Sequence, residues 1–127
     1  QKSIAEGRTG VMPPMAAAVG GGDNVRNVAH YVLSLSGSPH DSLSAQLGRA
    51  HFAACAACHG AEGKGNIAIG APNLADKVWL HGWGEQAVAG IVNGGLNNQM
   101  PAHASRLTPE QVRVLAAYVW RLSNASP

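Results

Sequence analysis

Cys55-Ala56-Ala57-Cys58-His59 constrains this chain more than any other stretch. Two cysteines three apart, with a histidine directly after the second, form the attachment signature of a c-type haem. The chemistry requires the spacing. Each thiol adds to one haem vinyl group, and one helical turn holds the two sulfurs at the vinyl separation. The next residue then lies beneath the iron, where His59 is expected to ligate it as an imidazole. Cys55 and Cys58 are accordingly expected as thioethers. Other uses of the motif fit less well. Half a zinc site would need a second cysteine pair, and His59 sits too close to complete a tetrahedron with both cysteines. A dithiol redox motif needs a preceding strand and a βαβ context. A plain disulfide leaves His59 unexplained.

Composition agrees with a bound prosthetic group. The 127 residues include one Phe, three Trp and two Tyr against 16 Gly, so a small core gains from burying a large flat cofactor. A net charge of +2 is too weak and scattered to argue for nucleic acid. The motif uses both cysteines, which leaves no disulfide framework. Covalent haem attachment points to an exported, oxidising compartment such as the periplasm. No signal peptide is visible at Gln1, so the chain reads as mature or cut. No apolar run approaches the roughly 20 residues a bilayer span needs, so the chain as given is expected to be soluble, with any anchor outside it.

Helical periodicity organises the rest, and no stretch reads as a strand, so the expected fold is all-α. Residues 1–22 read as irregular, broken by Gly7, Gly10, Pro13, Pro14 and Gly20 to Gly22. Asp23 is placed to cap a helix running to about Ser36, with Val25, Val28, Ala29, Val32 and Leu35 on one face. Residues 36–40 are linker-like. A second helix begins after Asp41 or Ser42 and runs into the haem motif, with Leu43, Leu47, Ala50 and Ala54 as its apolar stripe and Phe52 beside it. A Gly-rich loop over 60–73 follows, since a chain wrapping a flat cofactor needs permissive backbone. A short helix over Leu74–Leu80 and another over Glu85–Asn93 are predicted. In the last helix Thr108-Pro109-Glu110-Gln111 makes a capping box, and Val112, Leu115, Ala116, Val119 and Leu122 line the inward face, with Tyr118 beside them.

The first 37 residues resemble the last 35. Ile4 to Gly7 aligns with Ile91 to Gly94. After a one-residue gap, Met12-Pro13 aligns with Met100-Pro101. Val25-Arg26 matches Val112-Arg113, and Tyr31 to Ser36 matches Tyr118 to Ser123. The resulting map is 1–37 as the Met loop and last helix of a first, incomplete domain, 38–42 as linker, and 43–127 as a complete domain.

Around the iron, Met100 is the expected second axial ligand. It lies in a loop stiffened by Pro101, and its thioether would favour ferrous iron and raise the potential. His103 is the rival; His51 and His81 read as packing or surface histidines. The Pro72 carbonyl can accept the His59 Nδ1–H and fix the ring. Gly48 and Phe52 pair with Tyr118 and Leu115 in a close helix crossing. Trp79 and Trp83 are candidates to seal the haem edge or donate to a propionate. Lys64, Lys77 and Arg106 could flank the exposed edge and steer an acidic partner.

Residues 43–127 resemble a class I cytochrome c domain throughout: CAACH, Gly-Ala-Pro-Asn-Leu, Met-Pro and the capped terminal helix. The whole chain resembles, more narrowly, the C-terminal periplasmic part of the dihaem subunit (subunit III) of C-family, cbb3-type haem–copper oxidases. That likeness rests on Gly-Arg-Thr-Gly-Val-Met-Pro at 7–13, Tyr-Val-Leu-Ser-Leu-Ser-Gly at 31–37 and Cys-Ala-Ala-Cys-His-Gly-Ala-Glu-Gly-Lys-Gly-Asn at 55–66. It continues through Gly-Ala-Pro-Asn-Leu-Ala-Asp-Lys-Val-Trp-Leu at 70–80 and Leu-Ala-Ala-Tyr-Val at 115–119. The resemblance implies two haem domains, an N-terminal membrane helix and electron delivery to the oxidase's catalytic subunit from a small donor cytochrome. It also implies that Met12 ligates the first haem and Arg8 lies near its propionates. This chain has no attachment site for that haem, so Met12 reads here as a packing residue. Gly95 stands where the counterpart of Arg8 would be.

The functional expectation is one-electron transfer through a single covalent haem c bound by His59 and Met100, with Cys55, Cys58, Pro72 and Trp79 completing the site. With both axial positions filled there is no place for substrate, so no catalytic residue is expected. The domain would be the electron-entry point of a respiratory terminal oxidase on the periplasmic face of a bacterial inner membrane. The alternatives are a free-standing cytochrome shuttle, and a haem enzyme or gas sensor with an open sixth site.

Overall fold

The computed structural model describes residues 1–125. Helices dominate: α1 (Lys2–Ala5), α2 (Asp23–Leu35), α3 (Ser42–His51), α4 (Ala53–His59), α5 (Glu85–Gly94) and α6 (Pro109–Asn124). Two five-residue strands, β1 (Arg8–Met12) and β2 (Leu96–Met100), pair with each other, which corrects the expectation of a chain without strands. Neither segment alternates polar and apolar residues, so the sequence carries no strand signal. Each is the approach to a Met-Pro step, and the two satisfy each other's backbone groups. Among the described residues no helix is long and apolar enough to cross a membrane.

The chain forms two compact units, and the division falls within both strands. One comprises Gly10–Asn97; the other joins Gln1–Thr9 to the chain from Asn98 onward. In the second unit, Ile4 and Ala5 carbonyls accept the His103 and Ala104 amides at 2.9 and 3.1 Å. The predicted capping box is present, with Thr108 Oγ1 accepting from the Gln111 amide and Gln111 Oε1 from the Thr108 amide. Of the expected inward face of α6 only Val112 is buried. Leu115, Val119 and Leu122 are exposed, and Tyr118 is 59% exposed.

The larger unit is built on α2. Val19, Val25, Val28, Ala29, Val32 and Leu33 form its core with Phe52, Cys55, Val88 and Val92. The helix starts at the expected cap itself, one residue early. Gly22 is the N-cap at φ +51°, and Asp23 lies in the first turn without a side-chain cap. At the other end Gly37, at φ +66°, closes the helix while the Ser38 amide donates to Leu33 O at 3.0 Å. Asp41 caps α3 by accepting from the Ser44 amide at 2.7 Å, a bond that lowers the pKa of its carboxyl. The buried side of α3 is Ala45 and Gly48, with Phe52 after it, while Leu43 and Leu47 face solvent. Small residues face inward because α2 lies close. A Cβ on Gly48 would fall on the Asn27 carbonyl, and Phe52 meets Tyr31 edge-on at 5.1 Å between centroids. The crossing expected from Tyr118 and Leu115 is thus made by their repeat counterparts, Tyr31 and Val28.

His30, buried on α2, ties three elements together. Its Nδ1 accepts the Asp41 amide at 3.0 Å and its Nε2 donates to Glu85 at 3.0 Å. Glu85 also pairs with Arg26 at 3.0 Å. A neutral ring with the proton on Nε2 satisfies both partners. Replacing His30 by Ala removes both bonds and unties α2 from the start of α3 and from α5. The expected loss is about 2 kcal/mol, read from the denaturant midpoint.

The ribbon refines the repeat. Gly7 packs against Met100 O, Pro101 C and Ala102 N, and Gly95 against Met12 O, Pro13 C and Pro14 N. Both have positive φ, +72° and +71°. Gly7 therefore corresponds to Gly95, not Gly94, and the counterpart of Arg8 is Leu96, not Gly95. The one-residue offset falls after the Met-Pro steps.

Candidate haem site

α4 is short and alanine-rich, which favours helix, and it ends at Gly60, φ +79°. Cys55 is buried, Cys58 exposed and His59 buried. Burial, with a smaller contribution from Cys58, pushes the Cys55 thiol up.

The loop after His59 is folded to present one carbonyl. Gly65 N donates to His59 O at 2.7 Å, Leu74 N to Gly63 O at 2.6 Å, and Asn66 and Ala71 exchange bonds of 2.9 and 3.0 Å. Gly65, at φ +81°, packs against Ala71 O, Pro72 C and Asn73 N with no room for a side chain. The result is a 3.0 Å bond between His59 Nδ1 and Pro72 O. A proton on Nδ1 leaves the Nε2 lone pair free to ligate a metal.

Residues 74–80 form no helix. Asx turns replace it: Asn73 Oδ1 accepts the Ala75 amide and Asp76 Oδ1 the Val78 amide, at 2.8 and 2.9 Å. Trp79 packs against the core, and its indole Nε1 is buried with no hydrogen-bond partner among the described residues. A buried donor left alone costs about 1–3 kcal/mol, so an acceptor belongs there. Ile67, Ile69, Val78, Leu80 and Trp83 are exposed. A free imidazole nitrogen, paired cysteines on one helical turn, an orphaned indole donor and a flanking apolar surface fit haem c and its propionates.

The two methionine loops differ. Met12 is half-buried and packs against the core that contains Phe52 and Cys55. Met100 is 42% exposed and belongs to the other unit. His103 is half-buried and engaged through its backbone with Ile4; His81 is exposed. Lys64 pairs with Glu62 at 2.5 Å, both well exposed, so their charges cancel locally. Arg8 bonds the Ser3 hydroxyl. His30 was not singled out from the sequence, because a lone histidine on an amphipathic helix carries no motif.

Residues 44–119 match the family described as cytochrome c oxidase, cbb3-type, subunit III. Among curated relatives, the cbb3-type cytochrome c oxidase subunit CcoP of Rubrivivax gelatinosus is 59% identical over 126 residues, 99% of this chain and 41% of that protein. Subunit FixP of Bradyrhizobium diazoefficiens is 44% identical over 105 residues, 81% of this chain and 36% of the relative. FixP of Sinorhizobium medicae is 41% identical over 120 residues, 94% of this chain and 41% of the relative. The chain thus spans about two fifths of the length of the relatives it matches.

Proposed function

Because the chain belongs to the family of cbb3-type cytochrome c oxidase subunit III, we propose that it carries one haem c on Cys55 and Cys58 and relays single electrons towards the catalytic subunit of a haem–copper oxidase. The observation that carries the reading is the His59 Nδ1 to Pro72 O bond at 3.0 Å, which orients a buried imidazole with its other nitrogen free. When bound, haem supplies a one-electron Fe(II)/Fe(III) couple. The chain's residues do the rest. Cys55 and Cys58 fix its position, and the Pro72 carbonyl holds the His59 ring and strengthens it as a donor. Trp79 offers its unpartnered Nε1–H to a propionate. A methionine sulfur would be the second ligand, and Met100, on a loop stiffened by Pro101, is the one the sequence leads us to expect.

Residues 1–37 are read as the Met loop and last helix of a first cytochrome c domain, and 43–127 as a second. The relatives' names support an oxidase complex as the setting. The domain is read as standing on the periplasmic side of a bacterial inner membrane, with a small cytochrome as donor. With no open coordination position the domain transfers electrons and catalyses no reaction of its own.

A redox titration of protein matured with haem tests this. One haem per chain, a single one-electron wave and no rapid carbon monoxide binding by the reduced protein are expected. Fast uptake of carbon monoxide at neutral pH overturns the closed site and favours an enzyme or gas sensor.

A further inference from the structure

We propose that Asn66 is a positioning residue for the haem site. It closes the hairpin over 66–71 that holds the Pro72 carbonyl on His59, and through that bond it tunes the reduction potential. The inference rests on the haem reading above. Every residue it uses lies in the unit Gly10–Asn97. The loop after α4 grips His59 from both of its ends. Near its start the Gly65 amide donates to His59 O at 2.7 Å. At its far end Pro72 O accepts from His59 Nδ1 at 3.0 Å. Gly65 and Pro72 therefore have to lie side by side, and they do: a Cβ on Gly65 would fall 2.7 Å from Pro72 C. The six residues between them fix that spacing. Asn66 and Ala71 exchange both of their backbone bonds, at 2.9 and 3.0 Å, and this pair is the one next to Gly65 and Pro72.

A single 3-10 turn over Ile67–Ile69 reverses the chain inside this pair. Such a turn has strained hydrogen-bond geometry of its own, so it needs support at its ends. Asn66, in extended backbone, accepts the Ala68 amide on Oδ1 at 3.0 Å. Gly70, left-handed at φ +73°, donates its amide to Ile67 O at 3.3 Å. Asn66 thus joins the cap of the turn and the bridge to Ala71 in one residue. It is exposed, so truncating its side chain opens no hole in the core. Without the cap the 66–71 pair frays, and the Pro72 carbonyl moves off Nδ1. That bond is what raises the basicity of the His59 ring. A less basic ring gives less charge to iron, ferrous iron gains over ferric, and the potential rises.

The test compares the haem-loaded parent with Asn66→Ala and Asn66→Ser, each labelled with nitrogen-15. In Asn66→Ala the His59 Nδ1–H is expected to exchange with solvent about tenfold faster. The ferrous/ferric equilibrium is expected to shift about threefold to tenfold towards ferrous iron, tenfold being about 59 mV for one electron. The Asn66→Ser hydroxyl can accept the same amide, so this variant is expected to return both readouts to parent values. A merely structural Asn66 would lower the melting midpoint of Asn66→Ala and leave the His59 proton and the potential unchanged. That result overturns the inference, as does a serine variant that behaves like alanine. Should Asn66→Ala fail to hold haem, the parent decides. There the Ala71 amide and the His59 Nδ1–H are expected to share one protection factor, and a His59 proton much less protected than Ala71 overturns the clamp. Haem retained with both readouts unchanged refutes only this inference. A parent chain that retains no haem refutes the haem reading on which it rests.

Discussion

Replacing Cys55 and Cys58 together by serine is expected to leave no haem on the chain after denaturation and acid extraction, where the parent keeps one per chain. Both must change, because one thioether is enough to hold the group. His59 alone binds it only reversibly, and acid protonates that ligand. The folded state should also weaken. Cys55 lies in the core beside Phe52, and Trp79 Nε1 has no partner among the described residues, so the unit depends on a buried group to complete it. Each kcal/mol lost lowers the melting midpoint of a domain this size by roughly 4–8 °C. Loss of the covalent group should therefore lower it by about 10 °C or more. Thermal melting followed at the helix signal reads this. Colour that stays with the doubly substituted polypeptide after extraction would remove the basis for every ligand assignment.

Much of the site was legible from spacing, and the packing around it was not. CAACH, the Pro72 carbonyl, the Asp41 cap and the Thr108–Gln111 box are local features, each set by residues a few positions apart or by a turn. The choice of helix to cross α3 is different. The sequence holds two helices with nearly the same apolar face, and periodicity cannot rank them. The ranking comes from polar partners that are distant in sequence. His30 reaches Glu85, 55 residues on, and Asp41 through its backbone; Ala117, at the matching position of α6, can do neither. The same degeneracy explains why the apolar stripe expected on α3 was misjudged. Leu43 and Leu47 look like a buried face, yet a helix approached closely by another backbone buries its smallest residues, here Ala45 and Gly48. The strands were invisible because Arg8–Met12 and Leu96–Met100 pair through backbone, not through an alternating face.

Gly48→Ala is expected to be the most destabilising single-methyl change in the larger unit, at about 3 kcal/mol or more. Alanine is the better helix former, so on an isolated α3 the change would stabilise by up to about 1 kcal/mol. Packing reverses the sign. The added carbon falls on the Asn27 carbonyl, with the Val28 amide nitrogen 2.8 Å away. Both are backbone atoms inside α2, so no side-chain rotation relieves the clash, and overpacking of a rigid contact costs about 1–3 kcal/mol or more. Moving α2 outward would in turn loosen Tyr31 from Phe52 and break the His30 bonds to Asp41 and Glu85. The loss should therefore appear as a lower urea midpoint, accompanied by exposure of the Tyr31 ring. Ala at Gly94, where nothing lies within 4 Å of the new carbon, is the matched control in a helix of the same unit. If Gly48→Ala proved neutral or stabilising like that control, α2 could not be the helix that crosses α3.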